Sequence, residues 1–529
     1  MPSKKMSRRG LFRSGAALAA AGVSASIPEA ISAAPAPAPA LELGGNLYES
    51  IGVTPIVNCR GTYTIITGSQ TLPEVKRAMD AASRAYVHMD ELMEAVGQRL
   101  AELTKAEWGI VTAGCAAALT HATSACIAGG DPEKMQRIPN LTGLKNEVVV
   151  PRYSRNEYDH AVRMLGVKML EAETAAEFEA ALSPRTAMVM ILSCPAAEKG
   201  ELSIANACAM ARRKGVPVLV DAAAETLTIS NIHLAHGANM VAYSGGKCLR
   251  GPQAAGLLLG QKDLVRAAWI NSAPHHTFGR SLKVGKEEIM GMLAAVELWV
   301  KRDHDAEWKQ WQAWLDAIAS EATQVPGVTS EILQPEDLSN HAPRLRLHWD
   351  AARIGITGAE LEDLLWHGQP RIAVNESSGT RRDGRPSSLT IMPYMMMPGD
   401  DKIAAVAIRK LLANPPHIAV PEPEAATVDV SGEWAADLTF VSGASRHHFT
   451  IEQRDGRLSG EHRGDVLSGK LTGAVEGRRV TIRSGQRIEG ATLHYEFSGD
   501  AAGGRMEGVV KLGEYGQARW LAQKLAEKA

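Results

Sequence analysis

The chain has 529 residues, of which 45% are hydrophobic and 22% charged, and its formal net charge is -2. That length accommodates a large catalytic domain and at least one smaller one. The balanced charge, with no dense run of lysine and arginine after the first few residues, argues against a nucleic-acid binder, whose phosphate contacts require a basic stripe.

Residues 1–40 read as a targeting segment and linker. MPSKKMSRRGLFRSG is basic, ALAAAGVSASI is uncharged and weakly apolar, and ISAAPAPAPA supplies small residues for cleavage, with Ala34 as the expected site. Arg8 and Arg9 in SRRGLF match a twin-arginine export signal. Export to the periplasm is the expectation, with a cytoplasmic protein carrying an Ala-rich tail as the alternative. The weak hydropathy speaks against stable membrane insertion. Cysteines 59, 115, 126, 194, 208 and 248 form no CxxC pair and no metal-ligand spacing, so neither a disulfide framework nor a metal site is expected.

Residues 46–300 are expected to form a large domain, and from Glu49 to about Gly260 the pattern is β/α. WGIVTAG (108–114) is a strand and turn leading into the Ala-rich helix CAAALTHATSACIA. EVVVPR (147–152), VKMLEA, TAMVMILS (186–193), VPVLVDAA (216–223), NMVAYSGG (239–246) and AAGLLLG (254–260) read as strands. LSIANACAMARRKG is a helix ended by Gly215. Apolar strands alternating with helices predict a mostly parallel sheet covered on both faces. One long helix is expected over 285–320, carrying Trp299, Trp308 and Trp311.

Residues 301–416 are expected to form a small α/β domain, with LRLHWD (345–350) as a strand and KIAAVAIRKLLANP (402–415) as a closing helix. After the linker PPHIAVPEPEAAT, residues 427–513 alternate in short pieces parted by Gly-containing turns. This predicts an antiparallel barrel or sandwich followed by a helical tail at 514–529.

Three elements carry chemistry. Asp221 ends an apolar strand, where α/β sheets place their ligands. Lys247 follows a second strand in VAYSGGKCLRGPQ. An aldehyde cofactor needs an amine to form a Schiff base, and its pyridine nitrogen needs an anion to remain protonated; Lys247 and Asp221 fit those two roles. The turn TAGCAAALT opens a helix at which the amides of Gly114, Cys115 and Ala116 are free to hold a phosphate, and Ser244 offers a hydroxyl beside them.

In that order the three elements resemble those of the fold-type I pyridoxal-phosphate enzymes. HGANMVAYSGGKCLRGPQAAGLLLG (236–260), GVTPIVNCRGTYT (52–64) and the TAGCAAAL loop resemble the selenocysteine synthase branch, which includes relatives such as D-glucosaminate-6-phosphate ammonia lyase. The likeness spans about residues 46–415 and leaves out the C-terminal module. It implies that Lys247 carries pyridoxal 5'-phosphate, that Asp221 meets the pyridine nitrogen, and that residues 114–116 hold the phosphate. In the selenocysteine synthases a tRNA-binding domain precedes the core, whereas here the core begins almost directly after the expected signal; with a near-neutral pI of about 6.8, a tRNA substrate is not expected.

The resemblance implies a lyase that removes a Cα proton from an amino acid or amino sugar acid and eliminates. An aminotransferase or racemase is the enzymatic alternative, and a non-catalytic ligand-binding protein on the same fold is the alternative of another class. A homodimer or higher homo-oligomer is expected. Asn156, Tyr158 and His160 are candidates for packing on the cofactor ring, and His121 is expected in the helix core. Arg250, His276 and Arg381 are candidate substrate contacts, with His275, Arg280, Lys283 and Arg382 as neighbours. Cys115 and Cys248 are expected to be structural and not nucleophiles.

Overall fold

The computed structural model describes residues 40–45, 47–379, 386–419 and 424–526. The segment expected to be an export signal, with Arg8, Arg9 and Ala34, and the loop with Arg381 and Arg382, lie outside the described residues. The chain divides into a unit ending at Pro55 and a unit from Ile56 onward. In the first, Ser50 ties a short turn together: its hydroxyl donates to the carbonyl of Leu47 at 2.7 Å and accepts from the amide of Glu42 at 3.1 Å.

In the second unit, β1 (Ile56–Cys59) is followed by β2 (Trp108–Thr112), β3 (Glu147–Pro151), β4 (Lys168–Ala172), β5 (Thr186–Leu192), β6 (Val218–Asp221), β7 (Met240–Ser244) and β8 (Gly256–Gly260). Strands β2 to β8 form one seven-stranded sheet in the order β2-β8-β7-β6-β5-β3-β4. Neighbours from β7 to β4 run parallel, while β8 runs antiparallel to both β7 and β2. The uninterrupted Val, Ile, Leu and Met runs are explained by burial on both faces. The Ala-rich helix Gly114–Ala128 is buried almost all round, so small side chains let it lie close to the sheet.

Next come β9 (Thr329–Leu333), β10 (Arg344–Trp349), β11 (Arg371–Ser378) and β12 (Ser387–Ile391). They form a second sheet, ordered β1-β11-β12-β10-β9. The small domain is therefore not confined to 301–416. It takes β1 from residues 56–59, paired parallel to β11, with Cys59 in its core. The expected helix over 285–320 is two helices, Lys286–Trp299 and His304–Ala322. Asp303 caps the second by accepting from the amide of Ala306 at 2.9 Å, and such a cap starts a new helix where the sequence pattern alone runs on.

The C-terminal module is a closed barrel of β13 (Gly432–Thr439), β14 (Ala444–Arg454), β15 (Arg457–Arg463), β16 (Ser468–Glu476), β17 (Arg479–Ile488), β18 (Ala491–Ala502), β19 (Arg505–Lys511) and β20 (Gln517–Lys524). The helical tail expected at 514–529 is corrected: Gln517–Lys524 is the closing strand, paired with β19 on one side and β13 on the other. Ala518, Trp520 and Ala522 point inward at strand spacing. Two ladders of hydrogen bonds and the burial of Trp520 outweigh the modest helix preference of Ala, Leu, Gln and Lys. Among the described residues, no helix is long and apolar enough to cross a membrane.

Candidate active site

The carboxyl ends of the parallel strands gather the predicted residues. Asp221 ends β6 and is 2% exposed. Ser244 ends β7, and Thr112 ends β2. Both are paired across β8 with the same residue, Gly256, so the three lie in a row at one edge of the sheet. Gly114, Cys115 and Ala116 form the first turn of the helix Gly114–Ala128, whose start has no side-chain cap. A Cβ at Gly256 would overlap the backbone of Gly114 and Cys115, so a glycine there lets the helix start settle on the sheet edge. Gly114 has φ +84°, and a Cβ there would meet nothing within 4 Å. The uncapped start leaves the first amides of the helix without intrahelical partners at the positive end of its dipole, which suits an anion.

Asp221 accepts from the amide of Ala223 at 3.1 Å and from the Cys115 thiol at 3.6 Å. Burial raises its proton affinity, and the Ala223 amide and the charge of Lys247 act against that rise. Burial likewise raises the pKa of Cys115, with Asp221 adding to it, so the thiol stays protonated. Such a carboxylate is costly unless a cation meets it. A protonated pyridine nitrogen is a cation of that kind.

Lys247 is half-buried in the turn between β7 and β8. It lines a cavity of about 510 Å³ together with Thr62, Tyr63, Tyr158, Asn340, Arg344 and Asn375. The loop after Asp221 is anchored to its neighbours by Glu225, which is 2% exposed. Its carboxylate accepts from Ser193 and lies 2.5 Å from His233 Nε2, and its carbonyl accepts from the Cys248 thiol at 3.0 Å. Burial pushes the Cys248 thiol up to about 11, in agreement with a structural role. His121 is 1% exposed, and burial lowers its pKa to about 4.

Of the ring-packing candidates, Tyr158 is the one that lines the cavity. Asn156 caps its turn by accepting from the Tyr158 amide at 2.7 Å, and His160 lies beside Arg163. Two substrate-contact candidates are not brought to the cavity. Arg250 has φ +50°, which turns it away; it donates to the carbonyl of Gln70 at 3.1 Å and lines a different cavity with Arg302, Tyr394 and Met397. His276 is exposed, its carbonyl accepting from Gln136. Its neighbour His275 sits 3.2 Å from Asp90.

Arg344 was not singled out from the sequence. It begins β10, lines the Lys247 cavity, and forms no ion pair with a described residue. The signal was the alternation of RLRLHW, which buries Leu345, Leu347 and Trp349 and turns Arg344 to the other face.

A family model described as Cys/Met metabolism PLP-dependent enzyme matches residues 69–267. D-glucosaminate-6-phosphate ammonia lyase from Salmonella typhimurium (strain 14028s / SGSC 2262) is 30% identical over 334 residues, 61% of this chain and 88% of that protein. The chain belongs to the fold-type I pyridoxal-phosphate-dependent enzymes. A 5'-C-glycyluridine monooxygenase-decarboxylase from Streptomyces sp is also 30% identical, over 62% of this chain and 84% of that one. An L-seryl-tRNA(Sec) selenium transferase from Moorella thermoacetica is 24% identical over 57% of this chain and 64% of its own length. A solved structure of a D-glucosaminate-6-phosphate ammonia-lyase superposes with a TM-score of 0.61 at 26% identity, covering 69% of this chain and 98% of that one. The site of this pyridoxal-phosphate enzyme fits its cofactor on its own geometry: a buried acid, an uncapped helix start over a glycine cradle, and a lysine on the adjoining cavity.

Proposed function

We propose that this chain is a pyridoxal-phosphate-dependent lyase acting on an amino acid or amino sugar acid. The observation that carries this reading is the placement of Asp221, buried at the end of β6 under the uncapped helix start and within the field of Lys247.

Bound pyridoxal phosphate supplies an electron sink for negative charge at the substrate carbon that bears the amine. Lys247 would hold the cofactor, and its amine would be the base that takes the Cα proton of the substrate. Asp221 would meet the pyridine nitrogen and favour its protonated form. The amides of Gly114, Cys115 and Ala116, with the Ser244 hydroxyl, would hold the phosphate. Tyr158 would pack against the ring, and Arg344 would receive the substrate carboxylate, since it lines the cavity with no ion-pair partner among the described residues.

The test is Lys247→Ala. The wild-type protein is expected to be yellow and the variant to lose the visible band while its far-UV circular dichroism is retained. A colourless wild type that cannot be reconstituted overturns the reading. Product analysis with amino acids and amino sugar acids then separates the reactions. Ammonia with a keto acid supports the lyase, whereas carbon dioxide favours decarboxylation, the chemistry named for the Streptomyces relative. A stoichiometric half-reaction to an amine form of the cofactor would indicate an aminotransferase.

The first 40 residues direct export by the twin-arginine route to the periplasm. A folded reporter fused to them should be exported only while Arg8 and Arg9 are intact, and retention in the cytoplasm overturns this. The enzyme assembles as a homodimer or larger homo-oligomer, supported by the exposed apolar side chains Ile65, Tyr86 and Val87. A monomer by light scattering would refute it.

A further inference from the structure

The barrel has a complete core of its own. Trp434, Phe449, Phe497 and Trp520 fill it, and among the described residues none of the catalytic domain joins that cluster. One of its turns nevertheless contacts the segment that carries Tyr158, a residue of the Lys247 cavity wall. We propose that Glu489 and Gly490, at the tip between β17 and β18, are positioning residues of the active site that hold segment 155–158 and through it the Tyr158 side chain. The proposal rests on the reading of Lys247 as the cofactor lysine.

Three observations carry it. The first is Arg155, whose side chain is 4% exposed and pairs with Asp159, Glu171 and Glu489. Asp159 and Glu171 come from the catalytic domain, and Glu489 comes from the barrel. A guanidinium so deeply buried depends on its carboxylates, so the barrel contributes to fixing it. Glu489 itself has φ +51°, a conformation uncommon for glutamate, at the place where its carboxylate meets Arg155.

The second is Gly490. A Cβ there would overlap the backbone nitrogen, carbon and oxygen of Asn156, so the two main chains are in direct contact and a larger residue must displace one of them. The third is the link onward. Asn156 accepts from the Tyr158 amide at 2.7 Å and donates to the carbonyl of Ser154 at 2.9 Å, which makes it the cap of the turn that carries Tyr158. Tyr158 then lines the cavity with Lys247. A shift at the barrel tip thus reaches the cavity wall through two residues. The consequence for function is selection by size, because Tyr158 limits what passes to Lys247.

The experiment uses the full-length holoenzyme and two carbonyl-reactive amines, hydroxylamine and the bulkier O-benzylhydroxylamine, followed by loss of the visible cofactor band. Gly490→Val should change the ratio of the two capture rates by about fivefold or more, as expected when a wall moves by a fraction of an ångström to an ångström. Glu489→Gln, which keeps the shape, should change the ratio in the same direction and serves if the valine variant does not fold. Tyr158→Ala should reproduce the change, and adding Gly490→Val to it should have no further effect. Val466→Ala, in the exposed turn between β15 and β16, should leave the ratio alone. A ratio within about twofold of wild type in both tip variants, with thermal unfolding unchanged, overturns the proposal. A wild-type band that hydroxylamine does not bleach overturns the Lys247 reading itself, and the proposal with it.

Discussion

The Cys115 thiol lies 3.6 Å from a carboxylate oxygen of Asp221, so the first turn of the helix Gly114–Ala128 touches the acid at the end of β6. Two pieces of the site that are 106 residues apart in sequence are thereby held in one geometry. Burial raises the proton affinity of both groups.

Asp221→Asn should have opposite effects on the empty and the loaded protein. A carboxyl whose folded pKa is raised contributes stability that is present below its unfolded pKa and is lost as pH rises through the folded value. The apoprotein of the variant should therefore gain in Tm over wild type as pH rises above about 4, with little difference below that. Turnover should fall by roughly 10²–10⁴-fold, because an amide does not hold the pyridine proton. Melting curves of the apoprotein across pH, beside kcat of the holoenzyme, check both halves.

Gly256→Ala should weaken cofactor binding more than a surface change of the same size. The added methyl would overlap the backbone of Gly114 and Cys115 and displace the helix start from the sheet edge. Overpacking of this kind costs about 1–3 kcal/mol. Titration of the apoprotein with pyridoxal phosphate should show the weaker affinity, and an unchanged titration would refute the cradle.

Arg344→Ala should raise KM by about 10–100-fold, the cost of losing a charged hydrogen bond, with a smaller effect on kcat. Arg344→Lys should recover only part of it, because an ammonium does not reproduce a two-pronged contact. Arg250→Ala, in the other cavity, should leave KM nearly unchanged. Steady-state kinetics on any accepted substrate distinguishes these outcomes.

The barrel should loosen in acid. His447 Nδ1 and His462 Nε2 lie 2.7 Å apart inside it, and His462 Nδ1 is 3.0 Å from the Ser484 hydroxyl. Burial, then His447, lowers the pKa of His462 to about 3. A histidine held neutral in this way contributes stability that is present above its unfolded pKa, about 6.5, and is lost as pH falls toward the folded value. Thermal unfolding of the barrel should shift downward from about pH 6.5 toward 4, and His462→Gln should flatten that dependence.

What was legible in the sequence was local. Asp221, Lys247 and the 114–116 turn each sit at the end of an apolar strand, and a strand end is marked by where the hydrophobic run stops. The sheet then brings such ends together without further specification. Arg250 and His276 were misplaced because proximity in sequence to Lys247 does not fix direction: a left-handed residue at 250 turns the side chain into another cavity. Arg344 was missed because the residues that line the cavity with it, 62–63, 158 and 375, are distant along the chain.

The sequence by itself determined the cofactor chemistry and the β/α character of the first part of the chain, because both are written in residue type and short-range pattern. Only the tertiary structure decided that β1 belongs to the second sheet, that Gln517–Lys524 closes a barrel and is not a helix, and that the barrel tip meets Asn156. The reason is physical: strand pairing and packing between distant segments are non-local, and their free energy overrides the weak preferences that a single segment carries.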